Sequence, residues 1–346
     1  MKILIATGIY PPDIGGPAQY ARNLYETWKN AKGADGKPLH RVKVAAYRWE
    51  RAFPPGVRHL LYLLKVIRKG WDADLILVLD TWSAAMPAMH ACNIMHKKYV
   101  IRTGGDFLWE TYAERTGDLV RFKNFYGTRM EKFSRKEKLI FRLGGQALRK
   151  AKVVIFSTAW QKEIFEKAYG LDPRKSAIVE NYCGERLEPT EPENRAFVAA
   201  TRPLKWKNVE LLKEAFEAAR VKVKKAGLQD IELDTGKAVY DSFVEKIRHS
   251  YAVILASLGD ISPNMIFDAI RAGTPFILTK ETGIAERVKD CAVFVDPEDE
   301  NEIADKITWL SEPGNRARQA ELVRKFSWKH SWREIADEIV AVWEKF

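Results

Sequence analysis

Three cations stand close together in the second half of the chain, at Arg202, Lys205 and Lys207. They directly follow a short apolar run, Phe197–Ala200, which predicts a buried strand. Ligands of open α/β sheets bind outside the carboxyl ends of strands, so Arg202 and Lys207 lie where a diphosphate is expected. A guanidinium binds phosphate with two parallel hydrogen bonds, whereas a lysine adds a mobile point charge. A solvated basic loop is the alternative interpretation.

A helix predicted over Pro263–Ala272 begins close to another strand end. Ser262 is a natural N-cap and Pro263 a natural first helical residue. The first N–H groups of a helix have no partner within it and attract anions. The backbone N–H groups of Asn264 and Met265 are therefore predicted to bind a negatively charged ligand.

Two carboxylates lie at this helix. Asp260 comes just before its start, and Asp268 lies on its second turn among apolar residues. An ionised carboxylate on so apolar a helix needs a partner. Ribose or sugar hydroxyls would provide one, and a neighbouring arginine is the structural alternative.

Two adjacent glycines, Gly15 and Gly16, lie in the turn between the first strand, Lys2–Thr7, and the first helix. Glycine lets the backbone approach a ligand closely, and the helix start beyond it offers N–H groups to an anion. The spacing differs from that of the dinucleotide fingerprint. An ordinary strand-to-helix loop is the alternative.

The elements that must position these residues alternate along the chain. In the first half, the runs that predict strands are Lys2–Thr7, Val42–Tyr47, Leu75–Asp80, Tyr99–Thr103 and Val153–Ser157. The predicted helices are Ala18–Asn30, Val57–Lys69, Ala84–Lys97 and a long basic one that ends near Lys150. The strand runs are mostly continuous, which is typical of parallel strands covered on both faces. This alternation predicts a doubly wound α/β sheet.

An acidic segment with two prolines, Tyr182–Arg195, predicts a linker. After it, the predicted strands are Phe197–Ala200, Ile231–Leu233, Ala252–Ala256, Pro275–Leu278 and Ala292–Val295. The predicted helices are Val209–Lys225, Asp241–His249, Pro263–Ala272 and Glu300–Leu310, followed by an amphipathic helix over Trp328–Phe346. The second half therefore predicts a second α/β domain, in keeping with a length of 346 residues.

Composition narrows the class of protein. Hydrophobic residues make up 46% and charged residues 30%, which is typical of a folded globular chain. Three widely spaced cysteines argue against a disulfide framework and for a reducing compartment, so we expect a cytoplasmic protein. No apolar run approaches the length needed to span a bilayer. The net charge of +11 indicates an anionic partner without choosing among phosphates, nucleic acid and a membrane surface.

The motifs together carry a family resemblance. Tyr10-Pro11-Pro12-x-x-Gly15-Gly16, Arg202-x4-Lys207-Asn208 and the pair Asp260-x7-Asp268 before Arg271-Ala272-Gly273-Thr274-Pro275 resemble the retaining GT-B glycosyltransferases of family 4. The segments Val179–Asn181 and Phe326–Trp328 are similar to that family too. The match extends over the whole chain.

The resemblance implies two Rossmann-like domains that face a central cleft. Residues 1–183 would form the acceptor domain, residues 184–327 the donor domain, and the helix 328–346 would cross back to the first domain. It also implies retaining transfer of a hexose-type sugar from an NDP-sugar to a glycan or lipid-linked acceptor, with no obligatory metal or other cofactor.

The resemblance further implies roles for particular residues. Arg202 and Lys207 would stabilise the leaving diphosphate, Asp260 would bind the donor sugar, and Asp268 would bind the ribose. Gly16 would let the first domain approach the donor phosphates.

This sequence departs from the family pattern at several positions. Asp260 and Asp268 replace the usual glutamates, Pro263 replaces a glycine, and Asp106 lacks the histidine that usually precedes it. Alternatives are a catalytically impaired scaffold that binds nucleotide or glycan, and a GT-B sugar-nucleotide epimerase. We expect Asp106 to take part in catalysis.

Two tryptophans, Trp82 and Trp109, lie near predicted strand ends, where they could stack on an acceptor or sugar. Core packing is the alternative role for both.

A basic amphipathic stretch, Arg121–Lys152, could lie on anionic lipid, and Val57–Lys69 is a second, weaker candidate. A long surface helix with a core-facing stripe is the alternative for the first. We expect a cytoplasmic protein, either soluble or peripheral at the inner face of the membrane. Since no nucleic-acid recognition module is visible, nucleic acid is not an expected partner.

Overall fold

The structure is a computed structural model, and it describes residues 1–13, 15–199, 204–236 and 240–346. The first half contains β1 (Lys2–Thr7), α1 (Gly16–Asn30), β2 (Arg41–Ala46), α2 (Pro55–Gly70), β3 (Leu75–Leu79), α3 (Ala85–Met95), β4 (Val100–Thr103), α4 (Phe107–Thr116), α5 (Phe122–Arg129), α6 (Arg135–Lys150), β5 (Val153–Phe156), α7 (Ala159–Tyr169) and β6 (Ser176–Ile178).

The second half contains β7 (Ala196–Val198), α8 (Val209–Lys225), β8 (Glu232–Asp234), α9 (Tyr240–Arg248), β9 (Ala252–Leu255), α10 (Asn264–Ala272), β10 (Phe276–Thr279), α11 (Ala285–Val288), β11 (Val293–Val295), α12 (Glu300–Ser311), α13 (Pro313–Lys325) and α14 (Trp332–Lys345). The alternation of strands and helices predicted for both halves is confirmed.

The strands form two parallel sheets. The first has the order β2-β1-β3-β4-β5-β6, and the second has the order β11-β10-β9-β7-β8. In each sheet the second strand in chain order lies on one side of the first strand, and the later strands lie on its other side. This is the doubly wound arrangement that the sequence predicts. The continuous apolar runs are buried on both faces, and all five residues of β3, for example, are buried. The carboxyl ends of parallel strands share one edge of each sheet, so polar loops that follow them meet there.

The chain divides into two compact units. Unit 1 comprises Met1–Trp109, Tyr126–Asn181 and Ser331–Phe346, and unit 2 comprises Glu110–Phe125 and Tyr182–His330. Unit 2 thus includes a segment from the first half of the sequence.

The C-terminal helix belongs to unit 1, as the sequence predicts. Ser331 and Glu334 form a capping box, which satisfies free N–H groups at the start of α14. Ile335 and Ile339 are fully buried, and Trp332 packs edge-on against Tyr20 of α1 with ring centroids 5.2 Å apart. The predicted helix started at Trp328, whereas the capping box places the start four residues later.

The long basic helix predicted to end near Lys150 is α6, which ends at Lys150, but no single helix extends over the whole of Arg121–Lys152. The structure has α5 and α6 there, separated by a 3₁₀ turn over Met130–Lys132. Ser134 and Glu137 form a second capping box that starts α6. A capping box ends any helix that arrives from the N-terminal side, because its serine has extended backbone.

Candidate functional site

Lys207 and Asp260 form an ion pair at the carboxyl edge of the second sheet. Lys207 Nζ lies 2.5 Å from Asp260 Oδ2, and the two side chains are 13% and 12% exposed. Ser257 Oγ donates to the same carboxylate oxygen at 3.1 Å. Lys207 follows β7 and Asp260 follows β9, which are neighbouring strands. The structure therefore brings together two of the residues that the sequence singles out.

The position of Lys207 follows from the turn that carries it. Lys205–Lys207 form one 3₁₀ turn that ends at Asn208, whose φ of 58° lies in the left-handed region. Asparagine enters this region more readily than most residues. The buried Asn208 amide donates to the carbonyl oxygens of Ala256 at 3.3 Å and Pro297 at 2.6 Å. These bonds tie the turn to the loops after β9 and β11.

Asp260 is held by its backbone. Its N–H donates to the carbonyl oxygen of Glu281 at 2.9 Å. Its own carbonyl oxygen accepts from Thr282 Oγ1 at 2.8 Å and from the Gly283 N–H at 3.2 Å. All three partners follow β10, so the loops after β9 and β10 are joined at this point. The Asp260 carboxylate is thereby presented to Lys207 by a fixed backbone.

Helix α10 begins one residue later than predicted. Pro263, and not Ser262, occupies the N-cap position, with φ −71° and ψ 111°. The proline ring fixes φ alone, and this φ suits the extended cap as well as the first helical turn. Asn264 and Met265 are then the first two helical residues, whose N–H groups lie at the positive end of the helix dipole. A role for Ser262, Asn264 and Met265 in donor binding stays a prediction.

Asp268 is buried on α10. Arg271, one turn further on, places Nη1 3.1 Å from Asp268 Oδ1. The Arg271 Nε group donates to the carbonyl oxygen of Glu185 at 3.0 Å. Arg271 is therefore the arginine partner that the sequence left open as the alternative to ribose. Ribose binding by Asp268 stays a prediction.

Arg202 lies outside the residues that the structure describes, and its phosphate contact stays a prediction. Within the described ranges, no group of three or more His, Cys, Asp or Glu side chains could hold a metal ion.

The segment Glu110–Phe125 lies along the loops that follow β7 and β9. The Glu114 carboxylate accepts from the Lys205 N–H at 2.6 Å, and Lys205 Nζ donates to the Glu114 carbonyl oxygen at 2.8 Å. The Phe122 N–H donates to the Leu258 carbonyl oxygen at 3.0 Å. Lys205 and Leu258 are each two residues away from the ion pair in sequence. The segment therefore contacts both loops that carry Lys207 and Asp260.

Arg121 fastens the same segment to the loops after β10 and β11. Its guanidinium lies 3.2 Å from Glu281 and 2.6 Å from Asp296, and it also pairs with Glu298. Lys123 lies 2.5 Å from the same Glu281 carboxylate, whose side chain is 1% exposed. The carboxylates of Glu298 and Asp296 accept hydrogen bonds from Arg121 and raise the pKa of its guanidinium. A buried carboxylate is costly without a cation, so Glu281 makes this attachment specific.

In unit 1, Gly15 is the N-cap of α1. Its φ is 144°, a conformation that side chains of L-residues rarely adopt. Its carbonyl oxygen accepts from the N–H groups of Ala18 at 3.1 Å and Gln19 at 3.2 Å. Gly16 is the first helical residue. The glycine turn is confirmed, and the helix starts two residues before the predicted Ala18. Donor binding by Gly15 and Gly16 stays a prediction.

Asp106 caps helix α4 and is buried. One carboxylate oxygen accepts from the N–H groups of Leu108 at 2.9 Å and Trp109 at 3.0 Å. The other accepts from the Tyr126 hydroxyl at 2.5 Å, which also shares a hydrogen bond with Tyr169. Burial raises the pKa of Asp106. These contacts favour a capping role, and the catalytic role stays a prediction.

The two tryptophans differ in exposure. Trp109 is 3% exposed, which fits the core-packing alternative. Trp82 is half-buried and lies edge-on to His59, with ring centroids 6.1 Å apart. Trp82 therefore retains surface for a ligand, and stacking by either residue stays a prediction.

Several polar residues at strand ends were missed from the sequence. Asp80 ends the apolar run of β3, and its carboxylate accepts from the Trp82 and Ala85 N–H groups at 3.0 Å each. Arg102 is buried on β4, where it donates to Ser157 Oγ at 2.9 Å and stacks 3.9 Å from the Tyr20 ring centroid. Position at a strand end, the signal used for Arg202, would also have found Asp80 and Glu281.

Comparisons with known proteins are consistent with this geometry. Residues 194–312 match the family model of glycosyl transferases group 1. No curated protein sequence matches the chain. HepE from Anabaena, in complex with UDP-glucose, is 16% identical over the whole of both chains, with a TM-score of 0.69.

Two further solved structures are similar. Sucrose-phosphate synthase from Thermosynechococcus elongatus is 13% identical over 99% of this chain and 98% of its own, with a TM-score of 0.68. WaaG, a glycosyltransferase involved in lipopolysaccharide biosynthesis, is 14% identical over 99% of each chain, with a TM-score of 0.63. The predicted GT-B fold is confirmed.

We expect Asp106→Asn to keep the fold, because an asparagine caps a helix as well as an aspartate does. Asp106→Ala should lower the free energy of unfolding by about 1–2 kcal/mol, the usual cost of a lost cap. Since burial raises the pKa of Asp106, its ionisation destabilises the folded wild type as the pH rises from about 4 to 7. The free energy of unfolding of Asp106→Asn should therefore increase relative to that of the wild type over this range. Urea unfolding at both pH values measures this. A turnover loss of more than about tenfold in folded Asp106→Asn would instead support catalysis.

We expect Arg121→Ala to lower the free energy of unfolding by about 2 kcal/mol, because buried Glu281 loses one of its two cations. The matched control is Arg220→Ala, whose partners Glu217 and Asp230 are exposed and whose ion pairs therefore contribute little. Denaturant midpoints compare the two variants. Equal midpoints would show that the Arg121 attachment does not stabilise unit 2.

Proposed function

We propose that this chain is a GT-B glycosyltransferase that moves a hexose-type sugar from an NDP-sugar with retention of anomeric configuration. The match of residues 194–312 to the glycosyl transferases group 1 model supports this proposal. The proposed acceptor is a glycan or a lipid-linked molecule. The observation that carries the proposal is the Lys207–Asp260 ion pair at the carboxyl edge of the second sheet, within the matched residues 194–312. A cation and a carboxylate held side by side suit a ligand that carries both phosphate and hydroxyl groups.

The comparisons support the choice of donor. Two solved structures of HepE are complexes, one with UDP-glucose and one with UDP and glucose. Both are similar in fold to this chain. We therefore propose an NDP-sugar as donor and leave the nucleotide base open, since none of the residues that the structure describes identifies the base.

The proposed chemistry begins with the donor diphosphate near Lys207. The bond from the anomeric carbon to the diphosphate oxygen breaks, and a bond from that carbon to the acceptor oxygen forms on the same face. Negative charge grows on the leaving diphosphate, and the acceptor proton passes to it. Preorganised cations stabilise this charge, and a single donor of this kind lowers the barrier by about 3–4 kcal/mol.

The ion pair assigns a role to each of its members. Without a ligand, Asp260 holds Lys207 in place, and Ser257 donates a hydrogen bond to the Asp260 carboxylate. We propose that the diphosphate shares Lys207 with Asp260, which leaves the carboxylate able to accept hydrogen bonds from sugar hydroxyls. Arg202 would supply a second cation, and the N-terminus of α10 would add the N–H groups of Asn264 and Met265.

The acceptor side of the proposal rests on unit 1. Gly15 and Gly16 would admit the donor phosphates, and Trp82 would stack on an acceptor or sugar ring. Residues 1–183 with the helix 328–346 remain our proposal for the acceptor domain, and residues 184–327 for the donor domain. Peripheral contact with an anionic membrane surface and a cytoplasmic location belong to the same proposal.

A catalytically impaired scaffold is the second candidate, and one observation favours it. Asp260 and Asp268 both have a cation as partner, Lys207 and Arg271 respectively. Each carboxylate is also one methylene shorter than the glutamate of the resemblance. A scaffold would bind a nucleotide without turning over its sugar.

We expect Lys207→Ala to lower the transfer rate by about 10²–10³-fold, because the growing charge on the leaving group loses its preorganised cation. The assay is release of nucleoside diphosphate from the NDP-sugar that binds. Lys213→Ala is the matched control, since Lys213 lies on α8 of the same unit and pairs with exposed Glu210. A loss below about tenfold in a folded Lys207→Ala variant would exclude the proposed role. Nucleotide binding without turnover by the wild type would support the scaffold.

A further inference from the structure

Helix α2 and the turn before it carry a row of exposed apolar side chains. Its members are Trp49, Phe53, Val57, Leu60, Leu64 and Trp71, which we call the α2 face. Leu60 is 58%, Leu64 53% and Trp71 65% exposed. Residues 57, 60, 64 and 71 follow helical spacing, so they lie along one side of α2. Contiguous exposed apolar patches of this kind mark interaction surfaces.

The opposite side of α2 is packed on the first sheet. Tyr62 and Val66 are fully buried, and the Tyr62 hydroxyl donates to the Ala45 carbonyl oxygen at 2.8 Å. A Cβ on Gly70 would lie 2.9 Å from Leu4 Cδ2, which shows how closely the helix end approaches β1. One side of α2 therefore packs into the core of unit 1, and the α2 face lies exposed on the other side.

A buried ion pair holds the aromatic end of the α2 face in place. Glu50 is fully buried and pairs with Lys65 of α2, and its carboxylate also accepts from the Arg48 N–H at 2.8 Å. This fastens the short turn over Trp49–Ala52 to the helix. Trp49 and Phe53 then lie edge-on to each other outside it, with ring centroids 5.9 Å apart.

The charge around the α2 face is net positive, although Arg51 is paired with Asp13. Between residues 48 and 71 the sequence contains six cations, Arg48, Arg51, Arg58, Lys65, Arg68 and Lys69, and a single acid, Glu50. Since Glu50 is buried against Lys65, it presents no negative charge at the surface. Arg68 lies on the same side of the helix as Leu64 and is exposed. Its long side chain can place the charge above an apolar layer.

We propose that the α2 face is the surface by which this protein binds an anionic lipid bilayer. Amphipathic helices with Trp, Phe and Leu on one side and cations at its borders lie in the membrane interface, with the apolar side chains below the headgroups. Tryptophan prefers that interface, and here it stands at both ends of the row. None of the described helices is long and apolar enough to cross a bilayer.

This inference deepens the peripheral association that belongs to the proposed function, and it changes the surface assigned to it. From the sequence, Arg121–Lys152 was the stronger candidate for contact with anionic lipid, and Val57–Lys69 was the weaker one. In that first stretch, however, Phe122, Phe125, Tyr126 and Phe133 are buried. Of its large hydrophobic side chains, Met130 and Leu139 are the exposed ones among the described residues, at 38% and 42%. The cations there lack a continuous apolar surface.

The test is co-sedimentation of the full chain with vesicles of phosphatidylcholine alone or with about 30 mol% phosphatidylglycerol. We expect binding to the anionic vesicles, weaker at high salt. The double variant Leu60→Ser/Leu64→Ser should lose about tenfold or more in partitioning, because two apolar side chains no longer enter the interface. The matched control Leu139→Ser/Val221→Ser changes two exposed apolar side chains on α6 and α8, which are 42% and 54% exposed, and should bind as wild type.

Three results would overturn the proposal: no binding of wild type to anionic vesicles, equal binding by Leu60→Ser/Leu64→Ser, or loss of binding in the control pair. A further contrary result is a wild-type dimer that becomes a monomer in Leu60→Ser/Leu64→Ser without any vesicle binding, since a second copy would then occupy the α2 face. Nucleotide binding and transfer to a soluble acceptor should be unchanged in that variant. Failure of membrane binding is therefore separable from failure of the transferase proposal.

Discussion

The ion pair between Lys207 and Asp260 joins the loops after two neighbouring strands, and the other features of the site are arranged around it. Asn208 fixes the lysine by bonds to the loops after β9 and β11. The loop after β10 fixes the aspartate by its backbone. Such a pair is mostly buried, so it keeps a cation in position without a ligand and can share it with a phosphate. Preorganisation of this kind is what stabilises developing charge during a reaction.

The segment Glu110–Phe125 adds a second level to this arrangement. It comes from the first half of the sequence yet belongs to unit 2, where Glu114 and Arg121 attach it to the loops after three of the five strands, β7, β10 and β11. Glu281 is central to the attachment because its side chain is buried and needs a cation. Phe122 bonds to the loop that carries Asp260. The geometry of the candidate site therefore depends on residues distant in sequence.

The fold could be predicted because continuous apolar runs and amphipathic helices leave few arrangements other than two doubly wound sheets. The strand-end rule found Lys207 and Asp260 for the same reason, since parallel strands end at one edge. It could not show that Arg271 pairs with Asp268 or that Asp106 caps a helix, because both facts depend on side-chain geometry. The docking of Glu110–Phe125 was invisible, since its ion pairs join residues more than 150 positions apart, such as Arg121 and Glu281. The sequence predicted Val57–Lys69 as the weaker membrane-binding stretch, because a sequence does not show which amphipathic stretch stays exposed after folding.

The most direct test of the proposed donor site is thermal unfolding of the wild type and of Arg202→Ala in the presence of UDP, GDP, ADP, dTDP or CMP. A nucleotide at about a hundred times its Kd adds about 2.7 kcal/mol to the free energy of unfolding. We expect one nucleoside diphosphate to raise the midpoint of the wild type and to have little effect on Arg202→Ala. Unchanged midpoints of the wild type with all five nucleotides, or equal shifts of both proteins, would contradict a donor site at the carboxyl edge of the second sheet.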